Sequence, residues 1–287
     1  MSFSKLRFIS AMGIFGTVGI FVKFIPMDAA AIAFSRGVMG AAFLALFMLL
    51  TKKKPELHAV KQNLVRLLIS GAAIGLNWVL LFESYRYVSV ATATVCYYVA
   101  PLMFLLASPL LGEKLTAKKL CCVGVALVGL VFVSGILNES QDTVNSLPGI
   151  FLSLGAAVLY TSVIIMNKKL TPIPAYDKTI VQLGSAATVL IPYLLITGFG
   201  ATQPLTALQM ALLVIVGIVH TGIAYALYFG SMGALGAQTI ALFSYLDPVI
   251  AVLLSALLLK EAMSLSNIIG TILILGSALY SELPERR

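Results

Sequence analysis

The sequence predicts an all-α membrane protein: ten transmembrane helices arranged as two inverted five-helix repeats. Three observations carry that expectation. The chain of 287 residues is 60% apolar and only 10% charged, with a mean hydropathy of +1.03, whereas about a quarter of the residues of a soluble domain are charged. At about 20 residues per span such a chain accommodates roughly ten helices joined by short loops. Apolar runs with a central proline occur twice, in Tyr97-Tyr98-Val99-Ala100-Pro101-Leu102-Met103-Phe104 and in Ser244-Tyr245-Leu246-Asp247-Pro248-Val249-Ile250-Ala251. Finally, the basic residues alternate between segments in the way a multi-span topology requires.

The spans are expected at roughly 7–25, 29–50, 64–85, 89–111, 118–137, 148–167, 179–198, 206–230, 237–259 and 264–282. Pro26-Met27-Asp28 ends the first, and Lys52-Lys53-Lys54-Pro55 follows the second. Thr171-Pro172-Ile173-Pro174 separates the sixth from the seventh. The apolar run that follows Met1 to Arg7 has no small-residue cleavage site behind it and reads as a retained first helix, not a signal peptide. Residues 1–138 form the expected first repeat and 147–287 the second, with 139–146 a polar outer linker.

Charge orients the bundle. Of 19 Lys and Arg, 15 fall in segments on the side of the N-terminus, three (Lys23, Arg86 and Lys260) fall opposite, and Arg36 lies within a span. The basic side is cytoplasmic, so both termini are expected inside a bacterial-type plasma (inner) membrane. The net charge of +8 is dispersed over these loops, which fits topology and lipid headgroups and gives no nucleic-acid partner. Cys96, Cys121 and Cys122 lie in or beside apolar runs and form no CxxC, so they read as packing residues.

The two halves repeat. Gly71 matches Gly217 at a separation of 146, Pro101 matches Pro248 at 147, and Glu113 matches Glu261 at 148. Lys23 and Lys168 both follow the first helix of their half. Five helices per half is an odd number, so the second half enters the membrane from the other side, the arrangement behind alternating access. A proline inside a helix cannot donate to the carbonyl four residues back. Pro101 and Pro248 therefore release the carbonyls of Tyr97 and Ser244, and interrupted helices at matching places mark a transporter's binding site.

The doubled pattern Tyr98-Pro101-Glu113-Gly124-Gly129 and Tyr245-Asp247-Pro248-Glu261-Gly270-Gly276, together with Arg36 in Phe34-Ser35-Arg36-Gly37, resembles the EamA-type drug/metabolite transporters along nearly the whole chain. The resemblance implies a ten-helix carrier of small metabolites, often amino acids or related compounds. The halves depart from each other at Ala100, which stands opposite Asp247, and in the spacing to the glutamate, a residue shorter in the first half.

Ionisable groups within spans are costly and mark function. Arg36 and Glu83 read equally as a structural ion pair or as a substrate site, in which a guanidinium fork holds a carboxylate and Glu83 holds an ammonium. Asp247 and His220 are the candidates for a coupling proton, through a buried carboxylate or an imidazole of ordinary pKa about 6.5. The blander roles are a helix cap for Asp247 and a hydrogen bond to a neighbouring helix for His220. Asn77, Trp78, Tyr98 and Tyr245 are candidate substrate contacts, and with Glu83 the rings would equally cage an alkylated amine. Asn77 and Trp78 are adjacent and project differently. Tyr85 and Tyr87 read as an interfacial belt. Small residues in the fifth and tenth spans read as packing seams, with homodimer contact the lesser possibility.

Other chemistries lack their motifs. There is no P-loop, no HExxH, no Cys/His cluster with metal-ligand spacing and no GxSxG turn, so no cofactor, metal or enzymatic reaction is expected. The loops leave no room for a receptor's output domain, while a passive channel stays open as the competing class. The expectation is a secondary transporter, monomeric or homodimeric, moving a small metabolite through the lipid bilayer, as an exporter coupled to protons or by facilitated efflux.

Overall fold

Ten apolar helical spans make up the described protein: the fourth and ninth are interrupted by turns and the eighth by a π-helical segment. The structure, a computed structural model, describes residues 3–107, 109, 116–134, 141–197, 204–232, 234–235, 243–261, 263–281 and 283. In chain order the first three spans are α1 (Phe3–Lys23), α2 (Ala29–Leu50) and α3 (Leu57–Ser84). The fourth is split into α4 (Val90–Tyr97) and α5 (Ala100–Ala107), and the fifth is α6 (Ala117–Ser134). The second half runs α7 (Gln141–Lys168), α8 (Ala175–Thr197) and α9 (Ala207–Gly217). A π-helical turn, Ile218–Ile223, joins α9 to α10 (Ala224–Met232) within the eighth span. The last two spans are α11 (Leu246–Leu258) and α12 (Leu265–Ser281). Six spans are long and apolar enough to cross a bilayer, and four shorter apolar helices complete the set.

Local chemistry sets the ends. The Ser89 hydroxyl accepts the amide of Thr92 at 3.0 Å, capping α4. Thr206 and Gln209 form a reciprocal capping box at the start of α9. Lys52 takes a left-handed φ of 54° after α2. Its amide reaches the carbonyl of Leu49 at 3.1 Å and that of Lys53 reaches Met48 at 2.9 Å, a Schellman end built without glycine.

Two boundaries differ from expectation. α3 begins at Leu57, earlier than the predicted 64, because Asn63 gives this polar turn a partner. The Asn63 amide donates to the Thr171 hydroxyl at 2.8 Å, and its carbonyl accepts the Thr171 amide at 3.0 Å. α7 begins at Gln141, so the expected linker 139–146 is helical from that residue on. Its two first residues, and Glu113, lie outside the described residues.

Packing reproduces the repeat. α1 lies against α9 and α10 as α7 lies against α3, and α1 lies against α11 as α7 lies against α4 and α5. α2 meets α9 and the π turn as α8 meets α3. Three further large contacts join a span to its own counterpart: α2 with α8, α4 with α11, α6 with α12. These main contacts are preserved when the halves are exchanged, as two five-helix repeats require, while smaller ones such as α4 with α6 and α6 with α7 are not mirrored among the described residues.

Glycines permit the closest approaches. A Cβ at Gly75 would lie 2.5 Å from the Ala186 carbonyl of α8, and one at Gly129 would lie 2.9 Å from the Gly270 carbonyl of α12. The α6–α12 seam thus forms through Gly129 and Gly270, while Gly124 and Gly276 meet nothing within 4 Å. Gly75→Val should therefore cost about 1–3 kcal/mol, read as a lower melting temperature in detergent, whereas Gly276→Ala should leave melting unchanged or raise it.

Candidate functional site

The interrupted fourth span ends its first segment at Tyr97 and resumes at Ala100, so Tyr98 and Val99 sit in a turn just ahead of Pro101. The ninth span offers the start of α11 at the same level, with Asp247 in its first turn and Pro248 next to it. The two breaks meet: the Tyr98 hydroxyl donates to Asp247 Oδ2 at 2.5 Å. The N-cap position of this helix is Tyr245, and no side-chain capping bond forms there. α1 closes over this junction, where a Cβ at Gly16 would lie 2.7 Å from the Asp247 carbonyl.

Arg36 is the cationic pole. Its side chain is 5% exposed, with Nε donating to the Thr221 hydroxyl at 2.7 Å. The guanidinium carbon lies 4.3 Å from the centre of the Trp78 ring and 5.8 Å from that of Phe82, a cation–π arrangement. Arg36 and Asp247 interact electrostatically but form no ion pair with each other. They come from opposite halves of the chain.

Aromatic rings occupy the space between them. Tyr97 packs edge-on against Tyr98 at 5.8 Å and lies 5.5 Å from Tyr160, while Phe15, Tyr225, Tyr228 and Phe229 form a second group with centroids 5.1–6.1 Å apart. Tyr97, Tyr160 and Tyr225 all feel the Asp247 charge. Tyr160 keeps 38% of its surface accessible. Tyr245 instead packs against Leu102, Cys122, Ala126 and Ala278.

Several sequence candidates occupy other places. The Asn77 amide donates to the Ala156 carbonyl of α7 at 2.5 Å, binding α3 to α7, and its side chain also hydrogen-bonds Tyr97, while Trp78 lies against Arg36. Glu83 does not pair with Arg36. One turn along its own chain Arg86 reaches it at 2.8 Å at the helix rim, and a local ion pair with no chain to bridge prevails over one across the bundle. Tyr85 is buried at 4% beside Phe82 and Gly19, so only Tyr87, 46% exposed, stands where an interfacial belt would. His220 Nε2 lies 2.8 Å from the Thr17 hydroxyl of α1, and its Nδ1 lies 3.3 Å from the Ile215 carbonyl, the inter-helix role. Among the described residues no cluster of three His, Cys, Asp or Glu could hold a metal.

A second polar assembly closes the end of the bundle that bears Lys23. Lys23 Nζ donates to the Tyr85 carbonyl at 2.6 Å and lies 3.8 Å from Glu261 Oε1. Glu261 Oε2 accepts the Val90 amide at 3.0 Å and the Ser255 hydroxyl. A left-handed φ of 53° at Lys260 turns the chain so that Glu261 reaches back. Ahead of this latch lies a shallow cleft of about 330 Å³ walled by Lys23, Tyr85, Arg86, Tyr87 and Glu261.

Sequence reading missed the latch and the Arg36–Thr221 bond. The signal for Lys23 and Glu261 was only that each stands at a repeated position, Lys23 with Lys168 and Glu261 with Glu113; nothing in the repeat pairs the two. The bond to Thr221 had no pattern of its own.

The model of the EamA-like transporter family matches residues 4–135 and again 147–281. An uncharacterized transporter of Bacillus subtilis is 29% identical over 274 residues, covering 95% of this chain and 87% of the relative. A probable amino-acid metabolite efflux pump of Salmonella typhimurium is 29% identical over 177 residues, covering 58% of each chain. One solved crystal structure superposes with a TM-score of 0.66 at 21% identity, covering 98% of this chain and 97% of the other, a likeness of fold.

The latch makes a testable statement about α4. Glu261→Gln removes the charge that holds both Lys23 and the Val90 amide, worth about 1.5–3 kcal/mol. Hydrogen exchange of the first-turn amides of α4 should accelerate by roughly tenfold or more, while exchange in α8 should not change.

Proposed function

The chain belongs to the EamA-like transporter family, and from that premise we propose that it carries an amino-acid-like zwitterion by alternating access. The observation that carries the reading is the separation of Arg36 and Asp247: two opposite charges, one buried and one half-buried, one from each half, set among tyrosine rings that on this reading wall the substrate cleft, and not paired with each other. A guanidinium fork takes a carboxylate, and Asp247 takes the ammonium by displacing the Tyr98 hydroxyl. The ammonium role thereby moves from Glu83 to Asp247. The Salmonella typhimurium relative, described as an amino-acid metabolite efflux pump, supports this substrate class and an outward direction.

Asp247 also suits the coupling role. A carboxylate can hold either a proton or an ammonium, so exchange of one for the other would couple substrate efflux to proton entry. The alternation of basic residues puts the Lys23–Glu261 latch on the outer face, and its closed form leaves the cleft to be loaded from the cytoplasm. A second reading, transport of an alkylated amine, draws on the rings of Tyr97, Tyr98 and Tyr160 beside Asp247, which would cage a cation without any help from Arg36.

Purified protein in lipid nanodiscs should be stabilised by a subset of L-amino acids, since a ligand bound to the folded state raises its melting temperature by mass action. Arg36→Ala should abolish that shift for amino acids. Asp247→Asn should abolish both the shift and the dependence of proteoliposome uptake on a pH step. Decarboxylated amines that stabilise wild type and Arg36→Ala equally would decide for the amine reading, and uptake that never saturates would decide for a channel.

A further inference from the structure

The eighth span carries one residue more than its counterpart, the third. Gly71 and Gly217 are 146 apart, but Gly75 and Gly222 are 147 apart. The 147 offset then persists through Trp78 and Tyr225, Phe82 and Phe229, Ser84 and Ser231, Tyr98 and Tyr245, to Pro101 and Pro248. α3 is regular helix across Gly71–Gly75, whereas the second half has its π turn, Ile218–Ile223, between the matching glycines. A single inserted residue would rotate everything after it by about 100°. A π turn absorbs the insertion locally, so Tyr225 and Phe229 keep the register of Trp78 and Phe82.

The extra residue has a consequence for Arg36. The Thr221 hydroxyl donates to the Val216 carbonyl five residues back at 3.1 Å, and its lone pair accepts Arg36 Nε. Arg36, Met39, Gly40 and Phe43 form one face of α2, and that face receives the π turn: Gly217 against Met39, Thr221 against Gly40, Gly222 against Phe43. Thr221 is fully buried, and with Nε bound no described group takes either Nη of Arg36. Both Nη groups thus keep their donors unspent.

We propose that the inserted π turn aims Arg36: Thr221 is a positioning residue that holds the guanidinium on Trp78 and turns its two Nη groups toward the substrate's anionic end. The proposal rests on the reading of Arg36 as the carboxylate pole, and it places that pole under the control of the opposite half. The first half has no equivalent, because its shorter Gly71–Gly75 interval has no residue to spare.

Trp78 is the chain's one tryptophan and reports the stacked guanidinium directly. The test compares intrinsic fluorescence of wild type, Arg36→Met, Thr221→Val, Thr221→Ala and Thr221→Ser in nanodiscs without ligand, using variants that elute and melt as folded protein. Thr221→Val and Thr221→Ala should cover more than half of the spectral change produced by Arg36→Met, and Thr221→Ser should overlay wild type. Thr221→Val and Thr221→Ala spectra that overlay wild type would overturn the proposal, as would an Arg36→Met spectrum identical to wild type. In a second arm, Thr221→Val should weaken binding of a stabilising L-amino acid by about tenfold and leave its decarboxylated amine unaffected; equal loss of both would make Thr221 merely structural. If no amino acid stabilises wild type, the zwitterion reading fails, while the fluorescence still judges whether Thr221 aims Arg36.

Discussion

The hydrogen bond from Tyr98 to Asp247 ties together the two places where helices are interrupted inside an apolar bundle. Backbone polar groups in lipid must find partners within the protein, so irregular segments survive only where protein or a cleft surrounds them. Here each interruption lies beside the other, with α4 packed on α11 and α1 closed over both. The junction is therefore both an interruption of the helical scaffold and a place where a polar ligand has groups to meet. Scaffold and site share one set of atoms, and any movement of one half on the other must rearrange this contact.

The halves share an architecture and differ in chemistry. The exchange-symmetric packing provides two similar bundles, which is what a rocking mechanism needs. The polar residues break that symmetry: Asp247 stands opposite Ala100, Tyr225 opposite Trp78, and the π turn opposite a regular stretch of α3. Each pole of the cleft draws on the other half. Arg36 of the first is held by Thr221 of the second, and Asp247 of the second is held by Tyr98 of the first. A substrate bridging the poles would thus contact a framework that neither half can hold alone.

Most of the scaffold was legible because lipid imposes it. Span lengths follow bilayer thickness, and the proline pair, glycine offsets and alternating charge are all one-dimensional signals. What escaped was decided in three dimensions. Nothing local shows that Asn63 will meet Thr171 and so extend α3 to Leu57. Tyr85 follows the outer end of a span as a belt residue would, yet Gly19 leaves room for its ring inside. Glu83 was assigned by depth alone, and depth does not distinguish a partner one turn away from one across the bundle. The drift from 146 to 147 was readable as an insertion, but its position needed the π turn to be seen.

Two of the latch's contacts end on main-chain atoms, the Tyr85 carbonyl and the Val90 amide. Replacing those side chains would leave its grip intact, so Lys23, Glu261 and Ser255 are the residues to vary in loosening it. The Lys23 side chain is 38% exposed, and the attraction between partly exposed charges fades as ions accumulate around them, over about 10 Å at 0.1 M salt and about 3 Å at 1 M. The energy that keeps this end shut therefore depends on the salinity of the medium that bathes it, and the same protein meets a looser door in brine than in fresh water.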